Sequence, residues 1–487
     1  MGMPPHRCDE INRTACGTSV SRFPPGTLTQ PGGEPTLEER AALSIQRVNV
    51  INRDESTVGP RLPPRQGRAS EPEDAVREQF RRARRAGHPA WLWPEIRVSH
   101  WREALRTLEA IARSVLTSAR PEPIRAPDPA AERALGLASY TSGLGPWLGW
   151  NIERGILDAD DRSARLLREH LDHARRRWAR LERELADVLT AFSERGIEAT
   201  VLKGACGAQR WFAEPALRPM ADVDVLVSHD EQSRSAHALR ELGYDEQVEG
   251  RSVHPPRTEW RRRGSPVLPR SLMLVHADDP VGIDLHASLD IDFFGVATVP
   301  FDALGRALVD EMQMGDTTLR VLKQPLLAAH HAVHASHGLH GLTLVRLVEL
   351  SLMLRHDMKC AADQDALDSL LSDLRAERFA WPALALAEQL APGTVSPALL
   401  KRCADASPAR LRRVVAGMSP ATAQRLDGLA LQERFMWSSG FSEHVRRAAN
   451  MLLPTGRGGP VRRLGRIYLE RTYRLLRLRV GWSAERN

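Results

Sequence analysis

The chain has 487 residues, 42% hydrophobic and 26% charged, which is ordinary globular usage. That excludes wholesale disorder and collagen-like repetition, and at about 150 residues per domain it predicts two or three units. A net charge of +7, from 68 basic against 61 acidic residues, is mild over this length and argues against nucleic acid as a partner. Only Lys203, Lys323, Lys359 and Lys401 are lysine; every other cation is Arg, which points to a GC-rich coding bias and makes each Lys a departure. Cys8, Cys16, Cys206, Cys360 and Cys403 form no CxxC pair, so the pattern fits a reducing compartment rather than a disulfide scaffold. The first residues carry no apolar signal region. The uncharged window between Arg133 and Glu153 is diluted by glycines, Pro146 and hydroxyl residues, too polar for a spanning helix. The expectation is a cytoplasmic protein.

Residues 1–70 are rich in Pro, Gly, Arg, Ser and Thr without periodicity and read as a disordered leader. An N-terminal helical region follows over 71–195. Short helices are expected near 73–86, 101–118 and 129–140, with Trp91, Trp93 and Trp101 as packing residues. Over 161–195, Leu167, Leu171, Ala174, Trp178, Leu181, Leu185, Val188 and Phe192 alternate spacings of four and three. This is one apolar stripe on a long packing helix, closed by Gly196.

From there the period changes to two, opening an α/β core over 196–322. Residues 197–202 read as a strand, Gly204 opens a short helix, and Ala221–Val227 forms a second strand. Asp230 is placed to cap a helix running to Leu242, stopped by Gly243. Residues 271–277 and 281–287 read as a hairpin about Asp278-Asp279-Pro280, and 317–321 as an edge strand. The rest, 323–487, is helical: near 324–337, 343–356, 364–374, 379–391, 408–416, 420–428 and 440–452, then a basic helix over 461–479. The fold class is therefore α+β, a small mixed sheet flanked by N-terminal and C-terminal helical regions.

In Ala221–Val227 the period of two sends Asp222 and Asp224 to one face and Val223, Val225 and Val227 to the other. Adjacent carboxylates repel, and a hard divalent cation would offset that; two solvent-facing aspartates are the bland alternative. Lys203-Gly204, between a strand and a helix, can present backbone N–H groups and charge to a phosphate. Arg218 precedes the Asp strand and could clamp a phosphate or pair with Asp222. Asp284, with His286 two residues on and hence on its face, adds the third carboxylate that a two-metal phosphoryl-transfer site needs.

The ordered run Gly196-Ile197, Leu202-Lys203-Gly204, Arg218, Asp222-Val223-Asp224-Val225-Leu226-Val227, Leu239 and Gly243-Tyr244 resembles the DNA polymerase β-like nucleotidyltransferase superfamily. More closely, it resembles an uncharacterised nucleotidyltransferase-like family with an LKG…R…DIDLLV…GY signature. Ile283-Asp284-Leu285-His286 resembles that family's IDLH strand, and Leu326 to Leu354 its His-containing tail. The resemblance covers roughly 180–360 and, more loosely, 451–454 onward. It implies a nucleotidyltransferase fold, Mg²⁺ (or Mn²⁺) dependence and an NTP substrate. Asp222 and Asp224 would bind metal, and Asp284 would be a third ligand or the base for the acceptor hydroxyl. Lys203, Gly204 and Arg218 would bind the nucleotide phosphates, with His286 behind the ligands. Three departures stand out, one of them Trp211 or Phe212 where the family has Tyr. Lys203-Gly204 occupies the place of the superfamily's Gly-Ser or Gly-Gly, and the spacing to Asp222 is longer. The acceptor, a small molecule or a protein, is not named by the resemblance. A catalytically inactive binding or scaffold module on the same fold is the alternative.

Other signals rank lower. Asp290-Ile291-Asp292 lacks the preceding Gly turn. Of His330, His331, His334, His337 and His340, the spacings put His330, His334 and His337 on one face that could bind zinc, but a core or surface cluster is the better reading. Arg462, Arg463, Arg466, Arg471, Arg474, Arg477 and Arg479, beside a partial apolar face, would suit peripheral contact with an anionic membrane, with a solvated face as the blander account.

Overall fold

The computed structural model describes residues 96–247, 257–264, 275–305, 308–339, 341–423 and 435–452. It is α+β: a mixed seven-stranded sheet with helices on both sides. Four helices come first, α1 Val98–Leu116, α2 Pro129–Ser142, α3 Gly145–Glu153 and α4 Asp161–Ser193. The stripe on α4 is buried from Leu167 to Phe192, and each fully buried leucine there contributes roughly 1.5–3 kcal/mol. Asp160 caps α4 by accepting from the N–H groups of Arg162 and Ser163. Helix α3 falls in the uncharged window, where no helix was expected. Its glycines mark close approach rather than a turn: a Cβ on Gly149 would overlap the Leu167 carbonyl, and one on Gly145 the His170 ring. Among the described residues no helix is long and apolar enough to cross a membrane. Trp101 is core, its indole N–H donating to Thr141 Oγ1 at 3.1 Å.

The core runs β1 Thr200–Val201, α5 Lys203–Trp211, β2 Asp222–Leu226, α6 Gln232–Glu241, β3 Tyr244–Gln247, β4 Arg257–Arg262, β5 Gly282–His286, β6 Ile291–Asp292, β7 Thr298–Val299, α7 Asp302–Gly305, β8 Val309–Met314 and β9 Thr317–Leu322. Strand order in the large sheet is β3-β4-β5-β2-β1-β9-β8. Strand β2 runs parallel to β5, and β1 parallel to β9; the other neighbours are antiparallel. Val223, Val225, Ile283 and Leu285 are fully buried and anchor the central pair.

Four expectations are corrected. The strand over 197–202 shrinks to Thr200–Val201. Ser228, not Asp230, caps the helical run to Leu242: it accepts from the Glu231 N–H while Glu231 accepts from the Ser228 N–H, a capping box. The antiparallel partner of β5 is β4 rather than the segment before Asp278, of which residues 275–277 are described and form no strand. Strand β9 is interior, and β8 forms that edge.

The later helices are α8 Leu326–His337, α9 Leu344–Asp357, α10 Ala361–Asp373, α11 Glu377–Leu390, α12 Pro397–Asp405, α13 Ala409–Ala416, α14 Pro420–Ala423 and α15 Phe441–Leu452. Helix α12, with Ser396 as its cap and Pro397 in its first turn, was not expected. The leader 1–70, the helix near 73–86, Trp91, Trp93, residues 271–274 and 424–428, Pro454 and the basic helix over 461–479 lie outside the described residues.

One side chain of α4 ties the sheet together. The Arg177 guanidinium, 2% exposed, donates to the carbonyls of Met220 (3.3 Å) and Ala221 (2.8 Å), which lead into β2. It also donates to the carbonyls of Asp279 and Pro280, the latter at 3.0 Å, which lead into β5. Burial pushes its pKa down to about 10.

Candidate active site

The parallel register sets Asp222 beside Gly282, Asp224 beside Asp284 and Leu226 beside His286. On the other side of β5, Glu259 lies opposite Asp284 and Arg257 opposite His286. The strand period puts all these side chains on one face. Three carboxylates from two adjacent strands thus share one face of one sheet. Gly282 keeps that face open, since a Cβ there would meet the Asp222 Cβ at 3.2 Å.

Cations within the protein compensate part of this charge, a role that strand periodicity alone had left to a metal. Asp224 Oδ1 lies 2.7 Å from His286 Nε2 and 3.3 Å from Lys203 Nζ. Asp284 Oδ2 lies 3.1 Å from an Arg257 N–H. Burial alone would raise the Asp224 pKa; Lys203 and then His286 outweigh it and hold the carboxyl well below the usual range. Asp284 goes the other way, pushed up to about 8 by burial and then by the charges of Asp222 and Asp224. The Asp222 pKa is raised by desolvation and then by the charge of Asp224.

Asp224, Asp284 and His286 present donor atoms that all lie within 4.8 Å of one another. His286, expected behind the ligands, therefore stands in the donor cluster itself, and Asp222 adjoins it along β2. Among the described residues this is the one grouping of three such side chains with metal-holding spacing, so the histidines of α8 form none. His330 and His331 are buried, and His337 stacks on Phe294 at 4.6 Å. His340 lies outside the described residues. Asp290 and Asp292 serve loop backbone: Asp290 accepts from the Asp302 N–H and Asp292 from the Gly295 N–H.

Lys203 is the first residue of α5, 9% exposed, with φ +43°. A side chain in the left-handed region costs roughly 1–2 kcal/mol, and such strain gathers at functional sites. Lys203→Gly is therefore expected to unfold at higher urea than Lys203→Ala, by about 1 kcal/mol, reversing the usual helix order. Both variants lose the Asp224 ion pair, so the difference isolates the backbone. Equal midpoints would rule the strained conformation out.

The expected phosphate residues beside Lys203 are occupied by each other. A Cβ on Gly204 would lie 2.6 Å from Met220 Sδ and 3.1 Å from Arg218 Cζ. Arg218 pairs with Glu349 Oε2 through Nε and Nη2, both at 3.1 Å. Glu349 comes from α9 and is fully buried; Gly207 makes room for it, since a Cβ there would overlap Glu349 Oε1. His331 Nε2 lies 3.7 Å from the same carboxylate, and burial pushes the His331 pKa down to about 4, so the ring is neutral. Sequence reasoning missed Arg257, Glu259, Glu349 and Arg346. The signal available for the last two was charge inside the apolar run LVRLVELSLML.

The site is thus a mixed sheet with carboxylates on two paired strands, beside a helix that opens on Lys203-Gly204. The family model described as "Uncharacterised nucleotidyltransferase" matches residues 142–392, and the chain belongs to that family. Nucleotidyl transfer is its generic function. No curated protein and no solved structure matches the chain.

Proposed function

We propose that the chain transfers a nucleoside monophosphate from an NTP to an acceptor hydroxyl, using Mg²⁺ or Mn²⁺ at Asp222, Asp224 and Asp284. The observation that carries this reading is the register that sets Asp224 beside Asp284, with Asp222 one pleat along. The donor set fits a hard cation: carboxylate oxygens dominate, and the one imidazole is already hydrogen-bonded to Asp224. The raised pKa of Asp284 comes from burial first and then from repulsion by Asp222 and Asp224, which a cation would relieve.

Divalent metal, when bound, would neutralise charge on the transferring phosphoryl group and orient the nucleophile. The rest falls to this chain's residues. The acceptor oxygen forms a bond to the α-phosphorus as the bond to pyrophosphate breaks, and the hydroxyl proton must leave. Asp284 serves as third ligand or as the acceptor of that proton. His286 holds Asp224 in place through Nε2. Lys203 supplies positive charge at the turn before α5.

A scaffold role draws on one observation, that Lys203 and Arg257 already pair with Asp224 and Asp284. Mn²⁺ titration separates the two. Binding must strip the proton from Asp284, so affinity should rise about tenfold per pH unit below 8, with protons released. Calorimetry at pH 6.5, 7 and 7.5, in buffers of different ionisation enthalpy, reads both effects. A folded protein with no Mn²⁺ binding at millimolar metal would favour the scaffold.

A further inference from the structure

The charges around the site can be paired off. Lys203 goes to Asp224, Arg257 to Asp284 and Arg218 to Glu349. Two charges remain. Asp222 has no ion-pair or hydrogen-bond partner among the described residues. Arg346 has no carboxylate partner among them either; its side chain bonds only a neutral ring, Nη2 donating to His334 Nδ1 at 2.8 Å.

Arg346 belongs to the same electrostatic neighbourhood. It lies three residues before Glu349 on α9, and three apart on a helix is one face. Glu349 in turn holds Arg218, just ahead of β2. Its partner His334 sits one turn beyond His331, which faces Glu349. Arg346 interacts through space with Arg218 and Glu349 first and with Asp224 and Asp222 after them, and His334 with Lys203 and Asp224.

The His334 ring is neutral, because burial lowers its pKa well below the ordinary value. Nδ1 accepts from Arg346, so Nε2 carries the ring proton. His334 thus orients the guanidinium without neutralising it, and four of the five N–H donors of Arg346 stay available. A guanidinium partly withdrawn from water and held by a neutral acceptor, in the electrostatic neighbourhood of the site, calls for an anion with several oxygens. A metal–triphosphate meets both remaining charges, cation toward Asp222 and phosphate oxygens toward Arg346.

We infer that Arg346, oriented by His334, is the residue that clamps the β- and γ-phosphates of the nucleotide. The inference rests on the nucleotidyltransferase reading and moves the clamp from Arg218, which Glu349 holds, to α9. Arg346 is a binding residue and His334 a positioning residue.

The test is calorimetric titration of the full chain with inorganic tripolyphosphate, and with each NTP and NMP in Mg²⁺. Arg346→Gln should weaken tripolyphosphate and NTP binding about 10- to 100-fold, as for a lost hydrogen bond to a charged group, with NMP affinity unchanged. Arg346→Lys keeps the charge and loses the fork, so its loss should be smaller but present; it carries the test if the Gln variant does not fold. Wild-type tripolyphosphate affinity in both variants overturns the clamp, as does a wild-type chain that binds no tripolyphosphate. Mn²⁺ binding by the wild type, lost in Asp222→Asn/Asp224→Asn, would in either case leave the nucleotidyltransferase reading standing. Its absence would take both down.

Discussion

Asp224→Asn and Asp284→Asn should each weaken Mn²⁺ binding by more than about 100-fold, since even loss of a group behind the ligands costs 10–100-fold. Free Mn²⁺ measured by electron paramagnetic resonance reads this without knowledge of the acceptor. The two variants should differ in stability. Asp224 accepts from His286 and Lys203, so its loss strands a lysine that is 9% exposed, at a cost of about 3 kcal/mol. Asp284 behaves differently because its carboxyl is pushed up to about 8 from an ordinary 3.8. Between those values the folded chain keeps a proton that the unfolded chain releases. The stability contributed by that proton is therefore full below pH 4 and is lost as pH rises through 8. Asp222 and Asp224 on β2 and Glu259 on β4 push the pKa up, and Arg257 pulls it back. Metal-free wild type should lose up to several kcal/mol across that window relative to Asp284→Asn, read by urea unfolding at each pH. Parallel pH profiles for the two proteins would sink the assignment.

Arg177→Met should destabilise the fold by about 3 kcal/mol, because of the four carbonyls that share one guanidinium those of Met220 and Pro280 lose their donor, while Asp279 keeps Arg180 and Ala221 keeps the Gly282 N–H. Those carbonyls lead into β2 and β5, so Mn²⁺ affinity should fall as well, although Arg177 touches no carboxylate of the site. Arg177→Lys should recover little, since a compact ammonium cannot span two strand ends. Urea unfolding combined with the Mn²⁺ titration checks both effects. A methionine variant that unfolds with the wild type would show the carbonyls to be satisfied by other means.

The parts of this site that obey a local rule could be read from the sequence. Period two put Asp222 and Asp224 on one face and the valines on the other, and the same rule paired Asp284 with His286. The α4 stripe was equally plain, because spacings of three and four leave one solution. What escaped depends on partners far along the chain. Strands β3 and β4 carry charges where apolar alternation was sought, and only Trp260 and Tyr244 are fully buried there. Glycines in α3 look like turn residues until α4 is laid against them. Arg218 read as a phosphate clamp or a partner of Asp222, because its actual partner, Glu349, lies more than a hundred residues later on an apolar helix.

The placement of β1 bears on how the chain reaches this state. Thr200 and Val201 form only two-residue ladders, with Leu226 and Val225 on one side and with Arg320 and Val321 on the other. A strand this short cannot hold a sheet by itself, so the half bearing the aspartates is joined to the half bearing β8 and β9 only after the intervening loop has closed. Loop-closure entropy must be met before that contact rewards it. During synthesis the aspartate strands emerge well before β9, α8 and α9. The carboxylates of β2 and β5 can therefore pair before the helix that carries Glu349 and Arg346 has been made.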